Sequence, residues 1–243
     1  MRLPFVKMHG LGNDFIVLDS RAHPVPPMDA RLASALADRK TGIGCDQLIL
    51  LEPTSVADFR MRIFNADGSE VEACGNATRA VGLLHGAPAR IETLGGILNS
   101  TPVDGGIAVD MGEPRFDWQT IPLAYAMDTL RLPLGWNELE GPACVNVGNP
   151  HAVFFVPDCE AIDLATLGPM IEHDPVFPAR VNVNVGTIVD RRTIRLRVWE
   201  RGVGETRACG TGACATAIAA MRLGLTEREV TVILAGGRLT IGW

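Results

Sequence analysis

Short runs of β-branched and aromatic residues recur along the chain: FIVLD (15–19), FRMRIFN (59–65), AVFFV (152–156), TIVD (187–190) and IRLRVW (194–199). Each is bounded by Gly, Asp or Pro, which is the signature of short strands. Two alanine-rich stretches, 75–84 and 210–221, read as helices. A shorter helix is predicted over 29–38. Four prolines, Pro114, Pro122, Pro133 and Pro142, break any long helix across 114–142. That stretch is the expected join between two parts of the chain.

The pattern is also written twice. Residues 64–78 read FNADGSEVEACGNAT and 199–213 read WERGVGETRACGTGA. Laid together without a gap they pair Glu70 with Glu205, and Ala73-Cys74-Gly75 with Ala208-Cys209-Gly210. Upstream, Gly12-Asn13 with Val17 matches Gly148-Asn149 with Val153. Downstream, IETLGGIL (91–98) matches VILAGGRL (232–239). Three blocks in one order at nearly one offset imply a duplicated protein. The expected organisation is an N-terminal half, 1–113, carrying Cys74, and a C-terminal half, 114–243, carrying Cys209. The last strand is allowed to return to the first half. Strand-rich halves with one main helix each predict an α+β fold of two pseudo-symmetric halves, the helix packing inside or against its own curved sheet.

Composition narrows the chemistry. The chain has 243 residues, 47% of them hydrophobic, and a net charge of −6 without a basic block. Nucleic acid and anionic membrane are therefore not expected partners. No apolar run is long enough to span a bilayer, and the start lacks a secretory h-region, so a cytoplasmic protein is expected. The six cysteines are widely spaced, with neither CxxC pairs nor zinc-ligand spacing. No metal site and no disulfide framework are expected. The chain has only two lysines, Lys7 and Lys40. That leaves little choice for a Schiff-base lysine, and no cofactor is expected.

Cys74 and Cys209 each precede a glycine and a helix. A helix N-terminus offers unpaired N–H groups and the positive end of the helix dipole, a setting that lowers a thiol pKa and holds anions. The N–H groups of Gly75-Asn76 and Gly210-Thr211 are placed to hold a carboxylate. One thiolate would remove a proton from an α-carbon and the other thiol would return one to the opposite face. The remaining cysteines, Cys45, Cys144, Cys159 and Cys214, read as small buried hydrophobes.

HGLGNDF (9–15), GIGCDQ (42–47), FNADGSEVEACGN (64–76), GNPHAV (148–153), RVNV (180–183) and ERGVGETRACGTGACA (200–215) run in order over nearly the whole chain. Together they resemble the motifs of the diaminopimelate epimerase family. The resemblance implies cofactor-independent epimerisation of LL- to meso-diaminopimelate, in lysine and peptidoglycan precursor synthesis. It also implies two halves, each a sheet wrapped round a central helix, and a homodimer. Cys74 and Cys209 become the acid–base pair. Asn13, Gln47, Asn65, Asn149, Asn182 and Arg201 match positions that bind the amino-acid substrate, with Gly75, Asn76, Gly210 and Thr211 at its reacting carboxylate. His151 and Glu200 match positions that tune the cysteines. Asn184, two residues beyond Asn182, shares its strand face and is the alternative to it as a ligand. Several amides favour a substrate with a second polar end over the substrates of proline racemase-like enzymes.

Overall fold

The computed structural model describes residues 3–72 and 74–243. They form two compact units, one ending at Gly112 and the other running from Glu113 to Trp243.

In the first unit the order is β1 (Val6–Gly10), β2 (Asn13–Asp19), α1 (Ala30–Ala37), β3 (Gln47–Glu52), β4 (Phe59–Asn65), β5 (Glu70–Val71), α2 (Gly75–His85), β6 (Ala89–Thr93), β7 (Gly96–Val103) and β8 (Gly106–Asp110). The sheet order is β1-β2-β3-β4-β6-β7-β8, with β5 on β4. Pairs β2/β3 and β4/β6 are parallel. Helix α2 touches β1 and β2 at one side of the sheet and β7 and β8 at the other, so the sheet curves round it. Phe15, Val17, Ile49 and Ile63 pack with Ala77 and Val81 beneath that helix. Ile16, Leu18, Leu48 and Leu50 point the other way, into a core with Ala33 and Ala37 of α1. Both faces of the central strands are buried, so their sequences read as unbroken apolar runs.

The second unit holds β9 (Gly135–Trp136), β10 (Leu139–Glu140), β11 (Ala143–Asn146), β12 (Pro150–Phe155), α3 (Leu164–Glu172), β13 (Asn182–Asp190), β14 (Thr193–Glu200), β15 (Gly204–Thr206), α4 (Gly210–Arg222), β16 (Glu229–Leu234) and β17 (Gly237–Gly242). Its main sheet runs β11-β12-β13-β14-β16-β17, with β15 on β14. Helix α4 touches every one of those six main strands. Alanines 213, 215, 217, 219 and 220 let the strands approach it from all sides.

The central strands of the two sheets pair in matching register. Phe15 faces Gln47 as His151 faces Asn182. Ile63 and Phe64 face Val71 and Glu70 as Val198 and Trp199 face Thr206 and Glu205. Arg62 holds Glu70 at 2.7 Å and Arg197 holds Glu205 at 2.8 Å. Gly12 and Gly148 take left-handed φ values of 89° and 105° just before Asn13 and Asn149, a turn an L-side chain rarely adopts.

Three sequence expectations change. Segment 114–142 is not a bare join: Ile121, Leu123, Leu132, Trp136 and Leu139 are buried in the second unit's core. The prolines break helices there without exposing the chain, and Trp136 Nε1 donates to Asp174 at 2.8 Å. Helix α3 was not expected. Asp163 caps it and Leu164, Leu167 and Ile171 give it a buried stripe, but Pro169 inside it hides the period. The final strand, β17, pairs with β16 and stays in its own sheet. Among the described residues no helix is long and apolar enough to cross a membrane.

Candidate active site

Cys74 and Cys209 occupy the same structural position in their respective halves. Each is the N-cap of the central helix, in extended backbone at φ −146°, ψ 112° and φ −131°, ψ 114°. Each sulfur accepts the N–H three residues on, Ala77 N at 3.5 Å and Gly212 N at 3.3 Å. The next residues, Gly75-Asn76 and Gly210-Thr211, open the first turn, where helical N–H groups have no intrahelical partner. Glycine after each cysteine keeps that turn approachable.

Cys209 departs from the expectation of a lowered thiol pKa. Burial pushes it well above its ordinary value, and the neighbouring Glu200 carboxylate pushes in the same direction. The helix end and the Thr211 hydroxyl at 3.4 Å only partly offset this. Desolvation of a thiolate at a 5% exposed sulfur residue outweighs the helix-end dipole. Cys209 is therefore a protonated thiol at neutral pH. Glu200 is itself raised by burial and accepts the Thr206 hydroxyl at 2.5 Å.

The polar residues gather at one end of each sheet. In the first unit, Gln47 Nε2 donates to Asn65 Oδ1 at 3.1 Å, and Asn65 Nδ2 donates to Ser69 at 3.2 Å. Gln47 Oε1 is buried with no protein partner. Asn13 Nδ2 lies 3.4 Å from Asp46. Asn76 is buried, and its side-chain oxygen accepts from Arg79.

In the second unit, His151 is completely buried on β12. Its Nε2 lies 2.8 Å from Asn149 Oδ1 and its Nδ1 lies 3.0 Å from Asn184 Nδ2. Burial, with help from the Arg201 charge, drives its pKa down to about 3, so the ring is neutral. Asn182 donates to Pro150 O at 2.9 Å and accepts the Arg201 N–H at 2.9 Å. Its side chain ties β12 to the turn after Glu200 and keeps one N–H for other partners. Arg201 spends one donor on Ala179 O at 3.0 Å and is otherwise exposed.

One supporting residue was absent from the sequence reading of the site. Glu172, 2% exposed, accepts Trp199 Nε1 at 2.8 Å and Gly202 N at 2.9 Å, which pins the turn carrying Glu200 and Arg201. The only signal was a carboxylate ending an apolar helical stripe. Asn184, the alternative to Asn182 on the same strand face, is completely buried, with its Nδ2 on His151 Nδ1.

The duplicated α+β fold, with a curved sheet round one main helix in each half, is shared with proteins of very different sequence. The Bacillus anthracis phenazine biosynthesis protein of the PhzF family superimposes with a TM-score of 0.66 at 18% identity, over 98% of this chain and 88% of that one. The family model of diaminopimelate epimerase matches residues 5–117 and 143–243. Proteins of that name from Erythrobacter litoralis and Rhizorhabdus wittichii are 69% and 66% identical over 243 residues, covering all of this chain and 90% and 89% of theirs. The chain belongs to the diaminopimelate epimerase family.

Proposed function

We propose that the chain interconverts LL- and meso-diaminopimelate by a two-cysteine acid–base mechanism without a cofactor. The observation that carries this reading is the pair of cysteine N-caps at matched positions of the duplicated halves. Inversion needs a base on one face of the α-carbon and an acid on the other, and the mechanism assigns one cysteine to each. Cys209, held as a thiol, enters as the proton donor, which leaves removal to Cys74. The thiolate of Cys74 takes the α-proton and its electron pair remains on carbon, delocalised into the carboxylate. Cys209 then delivers its proton to the other face and becomes the thiolate, ready for the reverse reaction.

The carboxylate that carries the developing charge is held by N–H groups of Gly75-Asn76 and Gly210-Thr211, which act as an oxyanion hole does. Asn13, Gln47, Asn65, Asn149, Asn182 and Arg201 bind the rest of the substrate. Amides read ammonium and carboxylate groups without adding charge, and arginine can hold a carboxylate bidentately. Glu200 and neutral His151 tune the two cysteines, Glu200 acting on Cys209. A cytoplasmic homodimer completes the reading, and sedimentation of the purified protein checks the dimer.

Dialysed protein incubated with LL-diaminopimelate in heavy water tests the mechanism. Early meso product should carry deuterium at the inverted carbon while recovered substrate carries almost none. Equal early labelling of both isomers rules out a face-separated pair, and activity only with added pyridoxal phosphate rules out the cofactor-free route.

A further inference from the structure

Beneath the central helix the two halves differ in a way the duplication makes legible. At three matched positions the first half has Phe15, Ile49 and Ala77, all in its apolar core. The second half has His151, Asn184 and Gly212. The apolar version shows that this architecture closes without polar groups here. The polar version carries a cost: Asn184 is fully buried and its Oδ1 has no partner. It also requires a glycine, since a Cβ at Gly212 would stand 2.7 Å from that oxygen.

The amide of Asn184 can be oriented in only one way. Its Nδ2 faces the carbonyl oxygens of Ala152 at 3.3 Å and Asn182 at 3.4 Å as well as His151 Nδ1. Turning the amide over would set Oδ1 against two oxygens. The N–H therefore donates to His151 Nδ1, and the single proton of the neutral ring lies on Nε2. Nε2–H then donates to Asn149 Oδ1. With its oxygen engaged, half-buried Asn149 has only its NH2 group left to offer.

We infer that Asn184 is a positioning residue that fixes the Nε2–H tautomer of His151 and thereby makes Asn149 present N–H donors, not its oxygen, to an anionic group of the substrate. This rests on the reading of Asn149 as a substrate contact. A carboxylate needs donors, and an asparagine free to turn over would face it with oxygen part of the time.

The test has one part without substrate and one with it. A long-range proton–nitrogen spectrum of 15N-labelled protein should show His151 neutral with its proton on Nε2. A proton on Nδ1 overturns the inference. Asn184→Leu removes the donor to Nδ1, so the tautomers should mix and KM should rise about ten- to a hundredfold, with kcat much less affected. In an Asn149→Ala background the same substitution should leave KM unchanged; an undiminished effect there overturns the inference, as does an unaltered tautomer in Asn184→Leu. If Asn184→Leu does not fold, the double variant Asn184→Ile with Gly212→Ala takes the first half's residues at two of the three positions and keeps His151. It should keep or gain thermal stability while KM rises, whereas a merely structural role requires lost stability and unchanged KM. A correct tautomer in a protein that does not epimerise would count against the functional reading and leave the tautomer assignment standing.

Discussion

The two halves of this molecule share the order and register of their central strands, an arginine–glutamate pair and a cysteine-capped helix, yet they fill the space under that helix with opposite chemistry. The first half packs Phe15 and Ile49 against Ala77. The second encloses His151 and Asn184 beside Gly212. The backbone therefore does not demand either solution. Polar groups at a place where apolar ones fit point to a task, and a stability cost confined to one half marks where that task lies.

The comparison breaks first, and most visibly, at the caps. Cys74→Ala and Cys209→Ala should each lower kcat about a hundred- to ten-thousandfold, while Cys144→Ala and Cys159→Ala leave it nearly intact. A Cys209→Ala enzyme at half the normal rate removes the symmetry of roles.

The next difference appears as pH falls. His151 is neutral when folded, with its pKa down at about 3 against 6.5 for a free histidine. Below pH 6.5 the unfolded chain takes up a proton that the folded chain refuses. Stability present above that pH is therefore lost progressively down to about pH 3, by up to roughly 1.4 kcal/mol per pH unit. Denaturant melts from pH 7 to 4.5 should show about 2–3 kcal/mol more loss in the parent protein than in His151→Phe. At the matched position of the first half, Phe15 has no group to titrate.

Smaller effects follow. Gly212→Ala drives a methyl against Asn184 and should cost about 1–3 kcal/mol. The matched Ala77→Gly removes a core methyl and should cost only about 1 kcal/mol. Least of all, Arg197→Ala should exceed Arg62→Ala by about 1 kcal/mol. Both lose a glutamate, but Arg197 also donates to the carbonyls of Cys159 and Ile162 at 2.9 and 2.8 Å. Urea titrations of the four variants rank them.

The sequence made the halves legible because strands buried on both faces and alanine-rich helices leave strong local marks. FIVLD and FRMRIFN lie within or at the edge of β2 and β4, and the two helices were placed to within a residue at their ends. Helix α3 escaped because Pro169 sits inside it and its apolar stripe is short. Segment 114–142 misled because its prolines signal the absence of a helix but say nothing about burial. The cysteines were legible through the repeat itself. The elevated thiol of Cys209 was not, since it depends on how deeply the second helix is buried and on Glu200 arriving from another strand. Asn184 was in view beside Asn182, but its contact with His151 was not, since that partner lies 33 residues away in sequence.

The enclosure of α4 by six strands, contrasted with the exposed Leu83 and Leu84 at the end of α2, has a consequence for amide hydrogen exchange. The central amides of α4 have no route to solvent short of separating the sheet around them, so their exchange should report the opening of the whole second unit. The last turn of α2 can fray by itself and exchange early. One labelling time course thus yields a global opening free energy from one helix and a local one from its duplicate.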